Sequence, residues 1–416
     1  MKVLVVGSGG REHAIAWTLL KSPNVERVFC APGNGGTATL ANCQNLPVAV
    51  DDFYAIAKAV KDNQIDLVVV GPEVPLSLGI ADYLQQKEIA VFGPVKAGAE
   101  VEASKSWAKD LMVEGGIPTA RSATFTDGAA AKTYIEAEGA PIVIKADSLA
   151  AGKGVIVAMT LDEALTAVDD LLGQGFDTLV IEEFLIGEEA SVLAFTDGET
   201  IIPLVAAQDH KRIGEGDTGK NTGGMGAYAP APLVTPEIMK RIETEVLQPT
   251  IATFKNRGID YRGILYAGLM ITPDGEPKVV EFNCRFGDPE TQVVLPLLDT
   301  PLDELMLACV NRELANLEIK WKSGSAVCVV AAAGGYPDAY EKGKVISGLD
   351  TVSNAIVFHA GTKLESDVLL TDGGRVLGIT ALGNNFEEAI SKVYPAIAKI
   401  NFDRMYYRRD IGHRAK

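Results

Sequence analysis

With 416 residues, 47% hydrophobic and 22% charged, the chain has the length of two to four domains and can bury more than one core. Its formal charge of −17 argues against non-specific nucleic-acid binding, so an anionic ligand must be held by local arginines, lysines and helix N-termini. No apolar run approaches the ~18 residues of a membrane span, and five cysteines without metal-type spacing fit reduced thiols of a cytoplasmic protein rather than a disulfide framework.

The first hundred residues alternate strand signals near 2–6, 25–30, 66–70 and 89–92 with helical patterns near 11–21, 53–62 and 76–87, which predicts a parallel sheet covered by helices. The opening Met1-Lys2-Val3-Leu4-Val5-Val6 reads as a buried strand rather than a leader, because it stops at once in Gly7-Ser8-Gly9-Gly10. Turn chemistry also follows the later strands, at Ala31-Pro32-Gly33-Asn34, Gly71-Pro72-Glu73 and Gly93-Pro94. Ligands of such sheets bind beyond the carboxyl ends of the strands, so these loops are expected to line one cleft. The first loop is not a dinucleotide fingerprint. Glu12 stands where the third glycine belongs, and no acid follows the second strand. What remains is an anion site of glycine-rich amides at a helix start, with a merely tight turn as the alternative.

Residues 104–116 read as a helix capped by Ser104. A small mixed unit follows, with strands near 121–125, 142–146, 154–158 and 178–182 and helices near 128–138 and 161–172. Lys145 ends the apolar run from Pro141, the small-residue loop Ala150-Ala151-Gly152-Lys153-Gly154 could close over phosphates, and Glu182, Glu183, Phe184 and Glu189 lie in an acidic hinge. The loop lacks the Walker A spacing, so a nucleotide would need another architecture. Residues 236–257 read as one helix with Pro249 kinking or splitting it, and the part from about 326 as a β-rich unit with a helix near 386–399.

The densest polar segment is Val280-Glu281-Phe282-Asn283-Cys284-Arg285-Phe286-Gly287-Asp288-Pro289-Glu290. In extended backbone Glu281, Asn283 and Arg285 share a face. A carboxylate and an amide oxygen two residues apart suit Mg2+, which takes few protein oxygens and leaves its other positions to water and phosphate. A half-exposed edge strand with an ion pair is the bland alternative.

Taken together, the strand-end lysine, the glycine loop, the acidic hinge and this segment resemble the ATP-grasp superfamily. More narrowly, Gly7 to Ala14, Ala31 to Asn34, Gly71 to Glu73, Gln208-Asp209-His210-Lys211-Arg212, Asn221 to Tyr228, Arg285 to Glu290, Gly373 to Gly378 and Arg408 to Gly412 resemble the glycinamide ribonucleotide synthetase family over essentially the whole chain. The resemblance implies an α/β fold: an N-terminal parallel-sheet domain (1–103), an ATP-grasp part (104–190) with a small lid (about 118–190), a larger ATP-grasp part on antiparallel sheets (191–325) and a β-rich C-terminal domain (326–416). It implies ATP-dependent joining of glycine to 5-phosphoribosylamine in purine biosynthesis, with another ATP-grasp ligase or carboxylase, or a non-catalytic nucleotide sensor, as alternatives. By the same resemblance ATP lies between Lys105, Lys145 and Lys153 on the phosphate side and Glu182, Glu183, Phe184 and Glu189 on the nucleoside side, with Mg2+ or Mn2+ on Glu281 and Asn283. The substrate phosphate falls on Gly9 and Gly10, its ribose near Asn34 and Glu73, and glycine by Asp209, Lys211 and Arg285. Partners are then small molecules, with transient contact to neighbouring purine-pathway enzymes, and neither nucleic acid nor membrane. The sequence departs from the family pattern at Ser148, usually glycine, expected to stiffen the phosphate loop, and at Lys220, usually proline, expected to loosen the substrate loop.

Overall fold

Strand Lys2–Gly7 is a near-continuous apolar run, buried on both faces as a central parallel strand must be. In the computed structural model, which describes residues 1–149 and 154–415, it forms the middle of a five-stranded parallel sheet. Cys43–Asn45, Arg27–Pro32, Lys2–Gly7, Leu67–Val70 and Val91–Phe92 lie side by side in that order. The expected strands and helices appear with two differences. Cys43–Asn45 adds a short edge strand, and the expected helix at 76–87 divides into Glu73–Ser77 and Ile80–Gln85 at Gly79, whose φ of +92° is a left-handed break suited to glycine.

Helix Lys105–Glu114 starts at Ser104, whose hydroxyl accepts from Trp107 N at 3.1 Å. It leads into the lid, an antiparallel sheet of Ser122–Phe125, Leu179–Glu183, Ile142–Ala146 and Val155–Ala158 backed by helices Gly128–Glu138 and Leu161–Gly173. Those helices carry the N-caps that fix their starts, Asp127 and the Thr160/Glu163 capping box. The lid has its own small core around Ile135, Ile144, Val168 and Ile181. A second antiparallel sheet, Ile201–Pro203, Glu188–Thr196, Gly263–Ile271 and Pro277–Asn283, faces it. The two sheets are tied through the segment after helix Lys105–Glu114, where Val279 N donates to Pro118 O at 2.8 Å.

The helical stretch at 236–257 divides at Gln248, the residue before Pro249. A π-helical turn, Ile242–Leu247, between Pro236–Arg241 and Gln248–Asn256 absorbs the carbonyl that the missing N–H would leave. The remaining sheet runs Gln208–Asp209, Gly226–Ala229, Ser325–Ala332, Arg375–Gly383 and Ile356–His359, so short strands from the middle of the chain join the C-terminal part. Helix Phe386–Ile397 packs on it. No helix among the described residues is long and apolar enough to cross a membrane.

Candidate active site

The cleft between the lid and the large sheet is lined by cations. Lys145, at the end of Ile142–Ala146, is 5% exposed and meets Glu182 at 3.0 Å, while Lys109 meets the other oxygen of Glu182 at 3.3 Å. Lys145 also donates to Val280 O at 3.1 Å. That carbonyl is available because the register between Gly263–Ile271 and Pro277–Asn283 shifts there, pairing Val279 with Leu269 and Glu281 with Gly268 and leaving Val280 as the extra residue of a bulge. Two ammonium groups and one carboxylate leave a net single positive charge in this triad. Lys105 stands beside it and donates to Ser148 O at 2.7 Å. Burial lowers Lys105 and Lys109 from the ordinary lysine value, against the pull of Glu281 on the first and Glu182 on the second. Asp147 anchors this end of the lid by accepting from Lys105 N at 2.5 Å and from the Ser106 hydroxyl.

The Glu182 carboxylate therefore holds the two lysines and is not free for ATP, a correction to the expected direct contact. Glu183 is likewise strapped to Arg121, at 3.0 Å. Phe184, half-buried, follows directly after Leu179–Glu183 in the hinge. Lys153 and the small-residue loop before it lie outside the described residues. Ser148 has a buried hydroxyl with no partner among the described residues.

Across the cleft Lys211 meets Glu189 at 2.7 Å and Glu281 at 3.9 Å. Burial works against its charge, but Glu189, Asp209 and Glu281 overcome it and hold the ammonium well above its ordinary value. Burial pushes Asp209 up to about 7, with Glu290 adding to the rise and Lys211 opposing it. Glu189 is held low, chiefly by Lys211. Glu281 is exposed, and Asn283, near the same sheet edge, brings its amide oxygen within 3.4 Å of Arg285. The exposed carboxylate of Glu281 and the amide oxygen of the buried Asn283 are hard donors of the kind that a phosphate-bound Mg2+ or Mn2+ takes.

Arg285 links the large sheet to the loop that follows the parallel strand Leu67–Val70. Its guanidinium reaches Glu102 at 2.7 Å, Glu73 at 3.2 Å and Phe286 O at 3.1 Å. Burial raises Glu102 from the ordinary carboxyl value despite the arginine, whereas Arg285 and Arg11 overcome burial and hold Glu73 low. A second cleft, of about 570 Å³, lies at the carboxyl ends of the parallel strands and is closed by the C-terminal part. Ser8, Gly9, Gly33 and Asn34 form one wall, and Tyr336, Lys363, Asp372 and Arg375 the other.

Two expectations for this wall change. Asn34 donates to Ser8 O at 2.9 Å and His359 O at 2.7 Å and accepts from Gly36 N and Thr37 N, so its amide has no capacity left for a ribose. It holds the wall together instead. The Gly9 amide is taken by Glu12 Oε2 at 2.6 Å, in a capping box that places the Glu12 side chain against Gly7 and Gly71. The amides of Gly10, Arg11 and Glu12, in the first turn of Gly10–Leu19, have no hydrogen bond among the described residues.

Four further residues escaped the sequence reading. Glu102 and Lys363 carried no spacing signal. Glu290, 3% exposed and accepting from Ser191 and Tyr266, and Arg375, bonded to Gly223 O at 2.8 Å and Asp288 O at 2.9 Å, stood in noticed runs without an assigned role. Lys220 contacts Asp338 at 2.8 Å through both carboxylate oxygens, a tether where loosening was expected.

Models of phosphoribosylglycinamide synthetase match the chain in three consecutive pieces: the N domain over residues 1–102, the ATP-grasp (A) domain over 103–291 and the C domain over 326–414. A phosphoribosylamine–glycine ligase of Nostoc sp. is 62% identical over 422 residues, covering 100% of this chain and 99% of its own length. The chain belongs to the phosphoribosylglycinamide synthetase family. The ligase of the same name from Synechocystis sp. is 59% identical, with 100% of both chains covered. The crystal structure of phosphoribosylamine–glycine ligase from Thermotoga maritima superposes with a TM-score of 0.85 at 36% identity, over 99% of this chain and 100% of that one. The biotin carboxylase domain of a Hydrogenobacter thermophilus 2-oxoglutarate carboxylase, solved with MgADP, has a TM-score of 0.75 at 16% identity over 98% and 91% of the two chains. That likeness shows a common fold and lends no support to a carboxylase reading. Membership of this ATP-grasp family brings with it ATP and a divalent metal.

Proposed function

We propose that the chain is a phosphoribosylamine–glycine ligase that couples ATP cleavage to amide formation between glycine and 5-phosphoribosylamine. The observation that carries the residue assignment is Arg285, which touches Asn283 on the large sheet and Glu73 just after the parallel strand Leu67–Val70, so that one guanidinium spans the ATP-grasp part and the first domain. ATP lies between lid and large sheet with its phosphates toward Lys105, Lys145 and Lys153 and its ribose toward Glu189. Glu281 and Asn283 would hold a divalent cation, Mg2+ by the oxygen-only donor pair and Mn2+ as its substitute, which would supply charge neutralisation at the transferring phosphates. The phosphoribosyl group fills the second cleft, its phosphate between the Gly10 amide and the cations Lys363 and Arg375.

Glycine sits with its carboxylate toward Arg285 and its ammonium toward Asp209 and Glu290, with Lys211 between their charges and the ATP phosphates. A carboxylate oxygen of glycine attacks the γ-phosphorus, the bond to the β–γ bridging oxygen breaks, and ADP leaves. The lysines hold the charge that builds on the phosphoryl oxygens. The amine of phosphoribosylamine then attacks the carbonyl carbon of glycyl phosphate, loses a proton and expels inorganic phosphate. Closure of the lid keeps water from the labile acyl phosphate. Soluble small molecules account for every ligand the clefts need, in keeping with a cytoplasmic enzyme. Phosphate release with ATP, glycine and freshly made phosphoribosylamine, each omitted in turn, tests the reading: release must depend on all three, and release that persists without glycine would refute it.

A further inference from the structure

Beyond strand Gln208–Asp209 the backbone stays extended, with His210 N donating to Gly226 O at 2.9 Å and Met225 N to His210 O at 2.7 Å. Alternate side chains therefore leave on opposite sides. Asp209 and Lys211 lie among Glu189, Glu281 and Glu290 at the cleft. His210 goes the other way and is fully buried.

What it meets there comes from the far end of the sequence. Gly412 N donates to His210 Nε2 at 3.2 Å, while Arg408 Nη2 at 3.4 Å and Asp217 Oδ1 at 3.7 Å stand beside Nδ1. Arg408, whose side chain is completely buried, packs beside the ring and forks onto Asp410 through bonds of 2.8 and 2.7 Å. The same guanidinium reaches Asp217 and the Arg212 carbonyl, each at 3.0 Å, and Arg414 takes the second oxygen of Asp217 at 2.6 Å. Asp410 in turn accepts from Gly216 N at 2.8 Å. Two guanidiniums and two carboxylates thus balance in a block that bolts the hairpin Arg212–Gly214 and Thr218–Asn221 to the segment 408–414. These groups converge on the one residue between Asp209 and Lys211.

We propose that His210 is a positioning residue for the amino-acid substrate: gripped by Gly412 and flanked by Arg408 and Asp217, it sets the Asp209 and Lys211 side chains at the glycine subsite. The inference rests on the assignment of glycine to Asp209, Lys211 and Arg285 made above. Steady-state kinetics on His210→Leu and His210→Gln test it. Leucine fills the space without hydrogen bonds, so the KM for glycine rises about tenfold while those for ATP and phosphoribosylamine stay within about twofold, as misplacement of one substrate's contacts predicts. Glutamine restores a side-chain acceptor for Gly412 and brings the glycine KM back to within about threefold of the parent. Asp217→Asn, on the partly exposed hairpin, is the second variant should leucine prevent folding, and raises the glycine KM in the same selective way. A folded His210→Leu or Asp217→Asn with the parental glycine KM, an equal rise for all three substrates, or no recovery in His210→Gln overturns the positioning role. Arg285→Lys and Lys211→Met run alongside. If those two leave glycine use unchanged, the glycine assignment itself has failed and the inference falls with it by a separate result.

Discussion

Replacing Lys145 by methionine isolates the charge that faces the ATP phosphates. The stem still packs, and Glu182 keeps Lys109 at 3.3 Å, so no buried carboxylate is orphaned. The penalty of about 3–5 kcal/mol for an unpaired buried charge therefore does not apply. What the fold loses is the bond to Val280 O, about 1–3 kcal/mol for an unsatisfied acceptor. The active site loses more. Lys109, Glu182 and Lys145 carry one net positive charge together, and the substitution takes it to zero. One unit charge about 4 Å from a phosphate oxygen is worth roughly 4 kcal/mol at the effective dielectric of a protein surface. Lys105 remains, so a loss near that of one transition-state donor is expected, about 100- to 1,000-fold in turnover. The assay is phosphate release at saturating glycine and phosphoribosylamine, with ATP varied and ATP affinity measured by calorimetry. Lys109→Met is the control. It removes the partner of Thr119 and Ala120, at 2.7 and 3.1 Å, and should depress Tm more than turnover. A Lys145→Met enzyme within about twofold of the parent in both kcat and KM for ATP would refute the reasoning, because a difference that small is under about 0.5 kcal/mol.

Three other outcomes follow from the same geometry. Glu281→Gln keeps an oxygen but loses the charge that draws the metal, so activity should fall sharply and recover in part at high Mg2+, whereas Arg285→Lys should weaken glycine use by about 1–3 kcal/mol with unchanged metal dependence; identical metal responses would sink both assignments. Gly10→Val places a Cβ 2.7 Å from Gln292 Nε2 at the first free amide of the helix, so the KM for phosphoribosylamine should rise with ATP affinity spared, and equal loss of both would move the loop to the other ligand. Asp209→Asn should uncouple stability from function. Burial raises the carboxyl to about 7, so its ionisation destabilises the fold increasingly as pH climbs from 4 to above 7. The asparagine variant should therefore have a higher Tm than the parent at pH 8 and an equal one near pH 4, while losing glycine-dependent turnover; a Tm difference independent of pH contradicts the shift.

Much of the architecture was legible because it rests on local signals. Apolar runs ending in glycine gave the parallel strands, and Ser104 marked a helix start that the structure confirms. The candidate site was legible where one short segment carries it, as from Glu281 to Arg285. It was misread where a side chain is satisfied by partners far along the chain. Asn34 looked like a ligand group in a glycine-rich loop, but His359 O, brought by a strand near the other end, completes its bonding. Glu182 looked like a hinge acid until Lys109 and Lys145 were found on its two oxygens. Lys363 and Glu102 are single charges on unremarkable stretches, and only the closing of the clefts gives them meaning. Pro249 followed its local rule, yet the preceding π-turn absorbed the missing bond.

The central claim is that glycine is activated as an acyl phosphate before the amide forms. Glycine carrying oxygen-18 in both carboxylate positions measures this directly, with mass analysis of the phosphate and amide products after turnover with ATP and phosphoribosylamine. If the carboxylate attacks phosphorus, each inorganic phosphate released carries one heavy oxygen and each amide keeps the other. Unlabelled phosphate, with the lost oxygen appearing in water, would contradict the account.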